Sequence, residues 1–276
     1  MLITIKMSKT KKISHKIVIF NASGVIFFAL FFMFSEIVEG RHLKLYGIQR
    51  PDEGVTWVTY TNDFIPSLSI PASTGDVGNV ILHEIEIETG INKHWSQSVY
   101  FDFDTQYESP DSDDNNSRLA QIKTEFNIGV FESKLFDFRI NNEWAFNTGN
   151  YTDPLAQEKY SNSIELRPVF SKSIDAFTFI IGPGLFYRYT EEPKELTYFY
   201  ANAIQYALSD KTKVGLEFFG DLGDKITVSK QSHYLVPNID IKLHEKLILS
   251  IGIGFGLNEQ SEKYTFRNAL QFNYKW

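Results

Sequence analysis

At 276 residues, with 43% hydrophobic and 22% charged content, the chain can form one barrel of moderate size or two ordinary domains. It is too polar for a bundle of membrane helices. The absence of cysteine excludes disulfides and thiolate metal sites, and a formal net charge of −7 argues against nucleic-acid binding, which needs a basic footprint.

The first forty residues read as an export signal. Lys6, Lys9, Lys11, Lys12 and Lys16 form a basic n-region and Val25 to Phe34 an apolar h-region. Val38-Glu39-Gly40 then offers small or modest residues at a cleavage site. The expected organisation is a signal peptide over 1–40 and an outer-membrane β-barrel over 41–276. An uncleaved anchor is the rival, because apolar character runs from Ile17 almost to Val38. Residues 1–40 hold five Lys and two acids, so cleavage leaves 22 basic and 32 acidic residues and a net charge of −10.

Beyond residue 40, apolar and polar residues alternate with a period of two, the signature of strands that face two different environments. The alternation predicts about twelve strands, near 54–64, 80–90, 95–107, 118–131, 136–147, 161–171, 176–189, 195–209, 213–220, 232–243, 247–257 and 263–276. Most are long enough, at about 9–11 residues, for a tilted strand to cross a bilayer. Tight turns are expected at Asn92–His94, Glu132–Lys134, Ser171–Asp175, Asp210–Lys211 and His244–Lys246. Longer polar loops fall between them, at 65–79, 108–117, 148–160, 190–194, 221–231 and 258–262. Every tight turn therefore lands at one end and most longer loops at the other, as short periplasmic turns and long outer loops do in bacterial barrels. An even strand count returns the last strand to the first, and closure removes both sheet edges. The expected fold is all-β, a closed antiparallel transmembrane β-barrel in the bacterial outer membrane. A load of 24 Phe and 14 Tyr suits an apolar belt with aromatic girdles against outer-membrane lipid.

The last strand carries the pattern most clearly. Tyr264, Phe266, Leu270, Phe272, Tyr274 and Trp276 alternate with Thr265, Arg267, Ala269, Gln271, Asn273 and Lys275, and only Asn268 breaks the apolar set. Phe272, Tyr274 and Trp276 are the expected assembly signal, read by the barrel-insertion machinery.

A lipid midplane charges about 2–4 kcal/mol for an Arg or Lys, so the ionic faces are expected to point into the lumen. That set is Glu84, Glu86, Glu88, Asp102, Lys123, Glu125, Arg139, Glu143, Glu165, Arg167, Arg188, Glu217, Asp240, Lys242 and Arg267. Either it lines a polar pore for small solutes, or it is an internal ion-pair network that fills and stabilises the barrel, since buried charges must be paired. Three carboxylates on one face, Glu84, Glu86 and Glu88, repel each other unless basic partners, cations or water lie opposite.

Other motifs carry less. Gly252, Gly254 and Gly256 alternate within one strand, so they make room in the lumen or let the sheet curve, and do not cradle phosphate. Asp111–Asn115 begins like a calcium loop but has Asn116 at the sixth position and Ile122 at the twelfth, so the match fails. No resident metal or cofactor is expected. The histidines are scattered and there is no nucleophile elbow, so an enzyme is not expected. Twelve-stranded barrels do include a lipid hydrolase that works on the outer wall. His83 falls on the apolar face of its strand, but no serine is clearly paired with it.

Four segments resemble a known family. They are Glu86-Ile87-Glu88-Thr89-Gly90-Ile91-Asn92-Lys93-His94-Trp95, Gly182-Pro183-Gly184, Gly215-Leu216-Glu217-Phe218-Phe219-Gly220-Asp221 and Gly252-Ile253-Gly254-Phe255-Gly256-Leu257-Asn258. Together they resemble the outer-membrane transporters associated with phenol meta-pathway degradation. The chain departs from that pattern at Asn258, where Thr is usual, and at Trp276 in place of a final Phe. The resemblance implies an outer-membrane barrel with a transport or uptake role, and it supplies no catalytic residues. The function expected from the sequence is a passive channel or transporter for small solutes of unknown identity. The alternative is a closed structural or surface-interaction barrel.

Overall fold

A computed structural model describes residues 50–70, 78–107, 115–149, 161–190, 195–223 and 231–276, all within one compact unit, Val38–Trp276. The signal-peptide region 1–40 and the acidic stretch Asp111–Asp114 lie outside the described residues. Twelve strands are present among them: β1 Val55–Ile65, β2 Val80–Asn92, β3 Trp95–Tyr107, β4 Asn115–Glu132, β5 Asp137–Asn147 and β6 Ser163–Ile174, then β7 Phe177–Arg188, β8 Glu195–Ser209, β9 Thr212–Gly223, β10 Ser232–His244, β11 Leu247–Gly256 and β12 Tyr264–Lys275. Each is antiparallel to its neighbours in sequence, and β12 pairs with β1, from Val55↔Lys275 to Phe64↔Phe266, to close a barrel. The seam carries a cross-strand ion pair. Arg267 donates from Nε to Asp63 Oδ1 at 2.9 Å and from its NH2 group to Oδ2 at 3.3 Å. Such a two-pronged contact fixes register as well as adding attraction.

The alternation in sequence becomes two surfaces. Outside, Phe177, Phe179, Ile181 and Leu185 of β7 and Ile253 and Phe255 of β11 are each more than a third exposed. An apolar surface this broad on the outside of a closed sheet is unstable in water and suited to lipid. Aromatic rings band it at both ends. At the end that holds the tight turns, Phe131, Phe136, Phe138 and Phe170 stack across β4–β6 with centroids 4.8–5.9 Å apart, and Phe177 meets Tyr206 at 4.7 Å. Toward the opposite, loop end, Phe64 meets Phe266 at 5.7 Å and Tyr200 meets Phe218 at 5.0 Å.

One expected turn is shorter than its polar residues suggest. Ser171–Asp175 is not a turn, because β6 continues to Ile174 and the reversal is made by Asp175-Ala176 alone. Asp175 takes φ 52, a left-handed conformation that Asp tolerates in tight hairpins. Ser171 and Ser173 looked like turn residues because they are polar. They are polar because they face inward: Ser171 is buried and Ser173 lines the lumen.

The inner face is also not uniformly polar. Ile65, Ile70, Val80 and Leu82 form a small buried cluster beneath the 3-10 turn Ser67–Ser69, and Phe219, Tyr234 and Val236 form another across the wall. The Ser69 carbonyl accepts from the Lys263 amide, tying the β1–β2 connection to the β11–β12 connection. The loop end of the lumen therefore mixes apolar side chains with buried ion pairs, among them Arg118–Asp104 at 2.7 Å, where Asp104 stands opposite Leu82.

Candidate functional site: the charged lumen

The barrel encloses a cavity of about 930 Å³, lined by inward residues of β1–β5 and β7–β12 together with Ser163 and Ser173 of β6. Eleven of the fourteen lumen candidates other than Asp102 line it: Glu84, Glu86, Glu88, Lys123, Glu125, Arg139, Glu143, Glu217, Asp240, Lys242 and Arg267; Asp102 does so as well. Glu165, Arg167 and Arg188 are not among the lining residues. Glu165 and Arg167 are both fully buried, with the Arg167 side chain packed against Gly182. Arg188 places its guanidinium over the Phe186 ring, 5.5 Å from the centroid.

Pairing register explains why this wall must carry cations. Glu125, Glu143 and Glu165 stand directly opposite one another across β4, β5 and β6, and Glu88 extends the row through Ser98. Like charges in direct cross-strand positions are destabilising. Lys123 and Arg167 answer them. Lys123 Nζ lies 2.9 Å from Glu84, 3.0 Å from Asp102 and 4.0 Å from Glu143, and also caps the Tyr100 ring at 5.0 Å. Arg167 reaches Glu125 and Glu165, each at 3.9 Å. Neutral donors serve the rest. Ser96 donates to Glu88 at 2.5 Å, Ser98 to Glu86 at 3.0 Å and Asn141 to Glu125 at 3.1 Å. The Glu84–Glu86–Glu88 face thus resolves into one carboxylate held by a lysine and two held by serine hydroxyls.

Across the barrel, β8–β12 bring Lys211, Lys213, Lys242 and Arg267 to the lining, matched in number by Asp210, Glu217, Asp240 and Glu245. On the wall β2–β5 the lining instead carries Glu84, Glu86, Glu88, Asp102, Glu125 and Glu143 with two basic side chains, Lys123 and Arg139. The lining holds ten acidic and six basic groups, and the whole excess lies on one side of the lumen. A cavity with such a wall concentrates cations and orients dipolar solutes.

Several residues here were not anticipated from the sequence. Asp63 does not border the cavity but is the buried partner of Arg267, which does, and the period of β1 places it on the inward face. Lys211 and Lys213 were hidden because one was assigned to a turn and the other to a strand start. On the outer wall, His83 is not isolated. Its Nδ1 lies 2.7 Å from the Tyr60 hydroxyl and 3.0 Å from Asn62 Nδ2. Asn62 stands opposite both His83 and Asn268, and its Oδ1 accepts from Asn268 Nδ2 at 3.4 Å. The polar break at Asn268 is therefore one third of a cross-strand row. The His83 ring nitrogen meets a tyrosine and an asparagine, and among the described residues no serine hydrogen-bonds to it. The glycine row behaves as its setting suggests: the space above Gly252 is taken by Val236 and Asn238, and that above Gly254 by Thr265.

No family model matches the chain and no curated protein does. Solved structures match its fold. An outer-membrane channel from Pseudomonas putida F1 superimposes with a TM-score of 0.58 at 11% identity, covering 87% of this chain and 100% of that one. The NanC porin matches with a TM-score of 0.55 at 8% identity, over 79% of this chain and 100% of that chain. The KdgM porin matches with a TM-score of 0.51 at 10% identity, over 78% and 98%. At these identities the likeness concerns the fold, and the chain has the architecture of outer-membrane barrels that include porins and channels.

Proposed function

We propose that the protein is a bacterial outer-membrane channel through which small polar solutes cross passively, with a preference for cations. The observation that carries this reading is a charged cavity of about 930 Å³ enclosed by a wall whose outer surface is apolar and ringed with aromatics. A soluble protein has no use for that inversion, whereas a barrel between lipid and water requires it. In this reading the tight turns face the periplasm and the loop end faces outward. The folds of two porins and a channel, and the resemblance to outer-membrane transporters in the glycine-rich motifs, support the same conclusion.

Planar-bilayer recording of the folded protein tests it. Discrete conductance steps are expected, with a reversal potential in a salt gradient that favours cations. Well-folded protein, identified by its mobility shift on boiling, that never conducts would overturn the channel reading. It would leave the closed structural barrel, which the ion-paired wall and the buried side chains at the loop end also suit.

Assembly gives a second expectation. Trp276 bonds the seam, its amide donating to the Gly54 carbonyl at 3.2 Å and its indole Nε1 to Thr56 Oγ1 at 3.2 Å. With Phe272 and Tyr274 it forms the segment we assign to recognition by the insertion machinery. Deleting Trp276 should lower the amount of heat-modifiable barrel in outer-membrane fractions severalfold; equal amounts would remove it from that role.

A further inference from the structure

A short segment ahead of the first strand lies across the turn-end mouth of the barrel. Arg50–Gly54 leaves β1 at a left-handed bend, Gly54 at φ 73, that L side chains rarely adopt. The Gly54 amide donates to the Gly90 carbonyl at 3.1 Å, and Glu53 bridges to Gly90. The segment then passes β3 to reach β4. There the Arg50 side chain, 9% exposed, pairs with Glu132 at 3.2 Å and donates to the Lys93 carbonyl. The strap therefore spans four adjacent strands, and Pro51 within it is fully buried.

Two inward-facing positions accommodate the strap, and both are glycine. A Cβ on Gly90 would stand 2.5 Å from the Pro51 carbonyl oxygen and still closer to that of Asp52. A Cβ on Gly129 would stand 2.6 Å from an Arg50 guanidinium nitrogen. Neither glycine has a positive φ, so backbone conformation does not call for them; the close approach of the strap does. Gly129 is the cross-strand neighbour of Arg139, which lines the cavity. Arg50 thus joins Arg139 as a second guanidinium where the acidic wall meets the mouth.

We propose that Arg50 is a selectivity-determining residue of the lumen. The strap Arg50–Gly54, seated on Gly90 and Gly129, narrows the turn-end mouth, and its guanidinium moderates the attraction of the acidic wall for cations. This assignment rests on the channel reading. It adds that a positively charged strap sets both pore size and charge preference at one end.

The chain has no cysteine, so a single introduced thiol reports cleanly on the strap. In the folded full chain, Pro51→Cys should react with a membrane-impermeant maleimide far more slowly than Ser133→Cys in the exposed turn at the same end. Adding Gly90→Val to Pro51→Cys should bring the two rates together. In planar bilayers Arg50→Ala should raise unit conductance by about twofold and move the reversal potential further toward cations, whereas Arg50→Lys should keep the wild-type preference. Equal labelling of Pro51→Cys and Ser133→Cys would show an unseated strap and overturn the proposal. So would unchanged conductance and selectivity of Arg50→Ala in a wild type that conducts. Silence in every folded variant, with Pro51→Cys still protected, would overturn the channel reading and with it the role of Arg50, while leaving the seat of the strap intact.

Discussion

Replacing Lys123 with methionine is expected to destabilise the folded barrel by about 3–5 kcal/mol, the cost of removing one partner from a buried charge network. Lys123 is 6% exposed and its ammonium lies within 4.0 Å of Glu84, Asp102 and Glu143. Methionine fills much of the same volume, so packing changes little and the loss is electrostatic. Three carboxylates are then left facing each other without their cation. The check is the urea midpoint of the heat-modifiable band in detergent, compared with wild type. A second substitution fixes the cause. Glu143→Gln in the Lys123→Met background should recover part of the loss, because Glu143 also stands opposite Glu125 and Glu165. A midpoint that does not move in Lys123→Met would mean that this wall is hydrated enough to dispense with the ion pairs.

The second large effect contrasts the two faces of one strand. Ile253→Arg on β11 places a guanidinium on the outer belt and should cost about 2–4 kcal/mol near the bilayer midplane, falling toward either edge. Ser250→Arg on the same strand lines the cavity and should leave folding intact. It should instead move the reversal potential toward anions, since it adds positive charge opposite the acidic wall. Folding yield into liposomes reads the first and bilayer recording the second. Equal folding of both variants would contradict the assignment of faces.

The division of faces is legible in the sequence. In β7, Phe177, Phe179, Ile181 and Leu185 alternate with Thr178, Gly182 and Gly184, and a strand in a closed sheet has only two directions in which to send such a pattern. The same reading put most of the ionic residues inward, and eleven of its fourteen lining candidates beyond Asp102 border the cavity. It failed where polarity had two meanings. Ser171 and Ser173 were assigned to a turn because a polar residue at a strand end can serve either the lumen or a reversal, and local sequence does not distinguish them. Arg167 and Glu165 have the right parity for the pore but are fully buried and do not border the cavity. How far a side chain reaches into a lumen depends on what stands across from it, and here that is Glu125 and the space above Gly182.

Alternation along the chain, by itself, determined the strand count, the direction of each face and the end at which the turns gather. Those properties follow from the fixed period of a strand and from the cost of a charge in lipid, both of which act one residue at a time. Tertiary structure alone decided which charges meet. The row Glu125–Glu143–Glu165, the seating of Lys123 among three acids, the outer row His83–Asn62–Asn268 and the passage of Arg50 to Gly129 all join residues distant in sequence. Pairing register and closure of the sheet bring these residues within a few ångströms, and the strength of an electrostatic contact is set by that separation, which a linear pattern does not contain.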